Sequence, residues 1–143
     1  MQTQIGSQER NWGMAAHLSA LVAVVGLPFG HVLGPLIVYL IKARESEFVA
    51  QHARASLNYQ ITISIAAVIG IIIAVGAGVA YAVAGHGGSD DSVAGAAFAG
   101  WWIAIGLAVL LVLLLSVIFI IAGTVAASEG KPYTYPFAIR FLR

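Results

Sequence analysis

Few side chains in this sequence are equipped for chemistry, and most stand apart from one another. Its candidate acid–base side chains are four histidines and six carboxylates, and there is no cysteine. Disulfides, thiolate metal sites and cysteine nucleophiles are therefore excluded. His17 lies in a stretch without any charge. An ionisable group in such a segment is costly and is a functional candidate by default. The competing role is a neutral imidazole bonded to a neighbouring helix. Haem ligation between helices would want a second buried histidine, whereas His31 and His52 are expected at or near interfaces. Asn58 and Gln60 open a second uncharged stretch, with Ser56, Thr62 and Ser64 close by. Polar groups placed there either line a path or bond one helix to another, each bond contributing about 0.6–2 kcal/mol. His86, Asp90 and Asp91 are metal-ligand types, but they sit in a Gly-Ser loop with no fourth ligand, so no metal site is expected. No nucleophile, base and orienting group fall together. No glycine-rich phosphate loop follows a strand. The expectation is a non-enzymatic protein without cofactors.

The elements that carry these residues follow from the distribution of charge. Only 9% of the 143 residues are charged, 60% are hydrophobic, and the mean hydropathy is +0.93. Soluble domains carry about 25% charge. Three stretches have no charged residue: Asn11–Ile41, Ala55–Ser89 and Ser92–Ser128. Eighteen or more uncharged apolar residues read as membrane-spanning. The expected fold is an all-α polytopic membrane bundle, a single domain made of a short N-terminal helix hairpin (11–42) and two long transmembrane helices. Within the hairpin, Gly26 to Gly30 and Gly34-Pro35 mark a turn. The first helix is expected over Asn11–Leu27, and the second from about Gly34, with Pro35 in its first turn. A single kinked helix is the alternative. No small-x-small cleavage site follows the first apolar stretch, so it is expected to be retained. Ser46, flanked by Glu45 and Glu47, is a fair N-cap. It starts a helix (46–84) that runs along the surface and then turns into the bilayer near Leu57. The last span (93–128) carries Trp101 and Trp102 as an interfacial edge, behind a small-residue lead-in over Val93–Gly100. Its Ala96-x3-Gly100-x3-Ala104 pattern, like Ala74-x3-Gly78-x3-Ala82 before it, suits close helix approach and candidate homo-oligomers or membrane protein partners. The tail (129–143) breaks at Gly130 and Pro132. Its Tyr133, Tyr135, Phe137 and Phe141, like His52, are expected at the interface.

Lys and Arg near span ends stay cytoplasmic. A hairpin at 11–42 puts all seven basic residues on the side that carries both termini, and leaves Asp90 and Asp91 as the charges of the other side. A single crossing would move Arg10 across. The net charge of +1 gives no argument for nucleic acid. The partner that composition names is the lipid bilayer.

An ordered set of motifs covers nearly the whole chain. It comprises Glu9-Arg10-Asn11-Trp12, Ala16-His17-Leu18-Ser19-Ala20, Gly34-Pro35-Leu36-Ile37, Glu45-Ser46, Phe48-Val49, His52, Leu57-Asn58-Tyr59-Gln60, and the tail Gly130-Lys131-Pro132-Tyr133-Thr134-Tyr135-Pro136. In these the sequence resembles a bacterial family of small membrane proteins of unknown function. That family is commonly grouped with the channel component of the chloroplast inner-envelope protein import machinery. Members often carry an acid before the position of His52, where this chain has Gln51. The resemblance implies a four-helix layout with both termini on one side, and it implies no catalytic residues. Together with the residue reading, it points to a scaffold or channel-like component of the bacterial cytoplasmic membrane, acting in protein translocation or membrane organisation. The alternative is a small-solute or ion transporter using His17, Asn58 and Gln60. An intramembrane enzyme comes third.

Overall fold

The computed structural model describes residues 5–25, 29–84 and 91–143, whose regular structure is helical with no strand among them. Helix α1 spans Ser7–Leu18 and passes into a 3-10 segment over Ser19–Val25. Helix α2 spans Gly30–Lys42, α3 spans Glu47–Val83, and α4 spans Asp91–Ser128. The expected residues of the first turn, Gly26 to Pro28, and the loop residues His86 and Asp90 lie outside the described residues.

The chain divides into two compact units. One joins residues 1–64 with 116–143; the other is 65–115. In the first, α2 folds back against α1 and the 3-10 segment. Residues 11–42 thus form two short helices rather than one kinked helix. Helix α1 starts four residues earlier than expected, because Glu9 closes its first turn by accepting the Gly6 N–H at 2.9 Å. Helix α2 also starts early, at Gly30, and Pro35 lies inside it. The left-handed backbone of Phe29 (φ 59°) turns the chain into the helix, and its carbonyl accepts the Val32 and Leu33 N–H groups. That sets the first turn ahead of the proline, which then deletes only one donor. Gly34 meets the 3-10 segment so closely that a Cβ there would overlap the Ser19 carbonyl. Ser46 caps α3 as expected, accepting the Val49 N–H, and its hydroxyl donates to Glu9 at 2.6 Å. The apolar core lies between Ala16, Val38, Val49 and Ala53, and between Ala20, Tyr59, Ile120 and Tyr135.

In the second unit α3 and α4 pack through aromatic rings and small residues. Tyr81 donates to the Ala94 carbonyl and stacks on Phe98, whose edge meets Trp102. A Cβ on Gly78 would touch Trp102 at 3.4 Å. The small-residue pattern at Ala74 and Gly78 therefore faces α4. A Cβ on Gly100 would meet nothing within 4 Å. The expected surface lead-in, Val93–Gly100, is instead the first turns of α4. With Ala and Gly abundant but no proline before Trp101, nothing stops the helix there. Ile71, Ile72, Ile73, Leu107, Leu111 and Leu113 are exposed. Apolar surface on this scale suits lipid rather than water. Both α3 and α4 are long and apolar enough to cross a membrane.

Candidate functional site

The first unit sets three of its buried polar side chains on one face of α3. His52, Ser56, Gln60 and Ser64 recur four residues apart, which places them on one stripe. The first three are 0–2% exposed. Opposite His52 stands His17 from α1, also fully buried, with its Nε2 2.8 Å from His52 Nδ1. The other nitrogen of His17 lies 2.8 Å from the Tyr135 hydroxyl. The other nitrogen of His52 lies 3.1 Å from the Lys131 carbonyl.

Hydrogen-bond roles in this row follow from one fixed end. A carbonyl only accepts, so His52 Nε2 carries a hydrogen. With a neutral ring, His52 Nδ1 is then an acceptor and His17 Nε2 the donor. His17 Nδ1 is left as an acceptor, and Tyr135 donates to it. Burial pushes the Tyr135 hydroxyl well above the ordinary tyrosine range, which keeps that proton in place. The result is one directed chain: Tyr135 to His17, His17 to His52, and His52 to the backbone of the tail. Around it the rings pack tightly. Tyr59 stacks on Tyr135 at 4.4 Å, and Phe48 covers His52 at 4.5 Å between centroids. Tyr133 meets His17 edge-on at 5.8 Å. Gly123 leaves the room this needs, since a Cβ there would lie 2.9 Å from the His17 ring and 3.0 Å from Tyr133.

Asn58 holds the end of the tail. Its Nδ2 donates to the Leu142 carbonyl at 3.0 Å, and its Oδ1 accepts the Phe141 and Leu142 N–H groups at 3.1 and 2.8 Å. One turn on, Thr62 accepts the Ile139 N–H at 3.0 Å. Gln60 points elsewhere on the helix, and its Nε2 is buried with no acceptor. At the far end of the stripe Ser64 bonds His31 at 2.9 Å.

The structure thus joins His17 to His52 and brings neither Asn58 nor Gln60 to that pair. His52 and Tyr135, expected at an interface, are buried in the unit, because each is needed to complete the hydrogen bonding of His17. Tyr133 is partly exposed, and Trp101 and Trp102 are each 42% exposed. Residue spacing did not reveal Tyr59, Ser116 and Gly123 as parts of this site. Tyr59 bonds the Ser116 hydroxyl at 2.8 Å, which ties α3 to α4. The available signal was the four-residue recurrence of polar types from His52 to Ser64. The two imidazoles are in direct hydrogen-bond contact, which leaves no space for a haem between them. Among the described residues no cluster of three or more His, Asp or Glu could hold a metal ion. The carboxylates of the first unit serve its surface instead: Glu45 pairs with Lys42, Glu47 with Arg54 and Glu129 with Lys131.

No curated protein and no solved structure matches this chain. A family model does, over residues 8–142, and that interval contains every residue of the histidine row, the Asn58 clamp and both long apolar helices. This is a membrane protein, and it belongs to the magnetosome magnetite crystal formation protein family.

Proposed function

We propose that the protein is a non-enzymatic scaffold that organises the membrane in which a magnetite crystal forms, acting as an oligomer or with membrane protein partners. The observation that carries this reading is the use made of Asn58. A residue suited to lining a path is committed, through three hydrogen bonds, to fastening the tail. The exposed apolar faces of 65–115 add to it, since they offer surface to lipid and to other helices and no polar route. Both termini lie in the cytoplasm of a bacterial inner membrane, α3 and α4 cross it, and the hairpin enters without crossing. The exposed Phe137, Ile139 and Phe141 rest in the interface beside Arg140 and Arg143. Kinship with the chloroplast import channel component rests on the sequence motifs alone.

The absence of cysteine makes the test direct. Single cysteines at Ile72 and Leu113, both on exposed faces, should give crosslinks to a second copy or a neighbouring protein in native membranes. Monomers alone at every position would sink the scaffold reading. One observation favours transport as a second reading: the buried Gln60 amide has no acceptor. Solute or ion flux into proteoliposomes that falls on Gln60→Ala would support transport. Flux unchanged by the substitution would dismiss it.

A further inference from the structure

We propose that a cavity between the starts of α1 and α3 and the end of α2 is a headgroup site for a phospholipid bearing a primary ammonium, of the phosphatidylethanolamine class. The cavity has a volume of 190 Å³. Its apolar side is the Trp12 ring and the buried Val49. Its polar side carries Glu9 and Glu45 as acids, Lys42 as the base, and Gln8 and Ser46 as neutral groups. These side chains keep hydrogen-bonding capacity in reserve. Lys42 has three N–H donors. It places one on Glu45 Oε2 at 2.5 Å, with its Nζ 5.4 Å from the centre of the Trp12 ring. Glu45 is 61% exposed, and its second oxygen is left for a ligand. Glu9 accepts one bond at each oxygen, from the Gly6 N–H and the Ser46 hydroxyl, and each oxygen has a further lone pair. The cavity thus offers donors on Lys42 beside acceptors on Glu9 and Glu45.

Charge and polarity select the ligand. Two acids against one base leave the cavity with a charge of −1, so a ligand of net negative charge is repelled. A phosphodiester that carries an ammonium is neutral as a whole. Its phosphate suits the remaining N–H groups of Lys42, and its ammonium suits the carboxylates, both as charge-assisted hydrogen bonds. A glycerol headgroup would bring the phosphate charge without a compensating cation. A choline headgroup has the cation but no N–H to donate to a carboxylate. The rest of the ligand is read from α2. Ile37, Leu40 and Ile41 precede Lys42 and are 54%, 69% and 52% exposed. Apolar surface therefore runs up to the residue that borders the cavity, and a molecule that covers both must carry a polar head on an apolar chain. Trp12 favours the headgroup level of a bilayer. The inference needs this end of the first unit at a membrane face, as the proposed topology has it, and it is independent of the scaffold role.

Native mass spectrometry of the full-length protein reads the preference, with the protein released from micelles that contain equal amounts of phosphatidylethanolamine, phosphatidylglycerol and phosphatidylcholine. The ethanolamine lipid should be retained about tenfold over each of the others, the worth of one hydrogen bond to a charged group. Glu45→Gln makes the cavity neutral and removes an ionised acceptor, so it should bring the ratio over phosphatidylglycerol close to one, with folding checked by circular dichroism. Glu129→Gln, in an ion pair with Lys131 away from the cavity, should keep the preference. A phosphatidylethanolamine with a photoreactive group next to its glycerol should label residues 8–12 or 42–49, which locates the site even if Glu45→Gln does not fold. Soluble phosphoethanolamine, the same head without chains, should fail to displace the lipid when added in excess. Equal retention of the three lipids, a preference that survives in a folded Glu45→Gln variant, labelling confined to other segments, or displacement by phosphoethanolamine would each overturn the proposal.

Discussion

The carboxamide of Asn58 answers both kinds of backbone group at the end of the tail, two N–H donors and one carbonyl. An aspartate would keep the two acceptor bonds and lose the third. Alanine would lose all three and leave part-buried donors unpaired, at a net cost of about 1 kcal/mol per bond and more where water does not reach. Asn58→Ala should therefore weaken tail docking by about 3 kcal/mol, which is roughly a 150-fold rise in the exchange rate of the Phe141 and Leu142 amides. Asn58→Asp should give a smaller rise. Hydrogen exchange resolved by residue checks both, and unchanged exchange at 141–142 in the alanine variant would remove Asn58 from this role. The sequence marked Asn58, Gln60 and His17 as buried polar groups but not their partners. Spacing along a helix says which residues share a face. It does not say which strand of a distant tail will supply a carbonyl, because that contact closes over about eighty residues. The burial of His52 was not legible for the same reason: its contacts include the Lys131 carbonyl and the His17 ring, which local pattern does not connect to it.

Helix boundaries were legible where a local device sets them and shifted where packing does. Glu47–Val83 and the end of α4 at Ser128 lie within about a residue of the expected limits, since Ser46 and Gly130 punctuate them. The start of α2 moved because Phe29, rather than Pro35, turns the chain. Two predictions belong at this scale. A methyl group on Gly34 would strike the carbonyl and the Cβ of Ser19 in the 3-10 segment, neither of which can swing aside by a side-chain rotation. Gly34→Ala should separate α2 from the 3-10 segment and lower stability by about 1–3 kcal/mol, read as a fall in melting temperature in detergent. Gly70→Ala, where a Cβ meets nothing, should leave it unchanged or raise it slightly. The second concerns Glu9, which joins the start of α1 to the start of α3. The Ser46 hydroxyl, and after it the Gly6 N–H, hold its carboxylate below the ordinary range. A carboxylate with a lowered folded-state pKa contributes stability that is fully present above its unfolded value, near 4.5. That contribution fades as pH falls toward the folded value. Glu9→Gln should be less stable at pH 7, and the difference should close below pH 4. A gap that stays constant with pH would mean that the carboxylate charge has no part in the contact.

At the scale of the whole molecule the sparse charge acquires a direction. Arg10 lies in α1, Lys42 ends α2, Arg44 follows it, Arg54 lies early in α3, and Lys131, Arg140 and Arg143 lie in the tail, while in sequence Asp90 and Asp91 are the charges between Arg54 and Glu129. On the proposed hairpin reading of residues 11–42, Arg10 and Lys42 share a side of the membrane. Hydrogen bonds from Asn58 and His52 to the tail keep the C-terminal basic residues with the first half of α3. Membrane insertion should therefore leave residues near Ser7 and Phe137 on one face and residues near Ser89 on the other. Single cysteines at these three positions, treated with a membrane-impermeant maleimide, test it. Intact cells stripped of any outer barrier should label Ser89→Cys alone, and Ser7→Cys and Phe137→Cys should react only after permeabilisation. Labelling of Ser7→Cys from outside would mean that residues 11–42 cross the bilayer once. It would also separate His17 from the side on which His52 and Lys131 begin their segments, and the histidine row could not form in the membrane. The orientation experiment thus bears on the site as well as on topology: a chain that inserts with both ends together is the one in which the two imidazoles can meet.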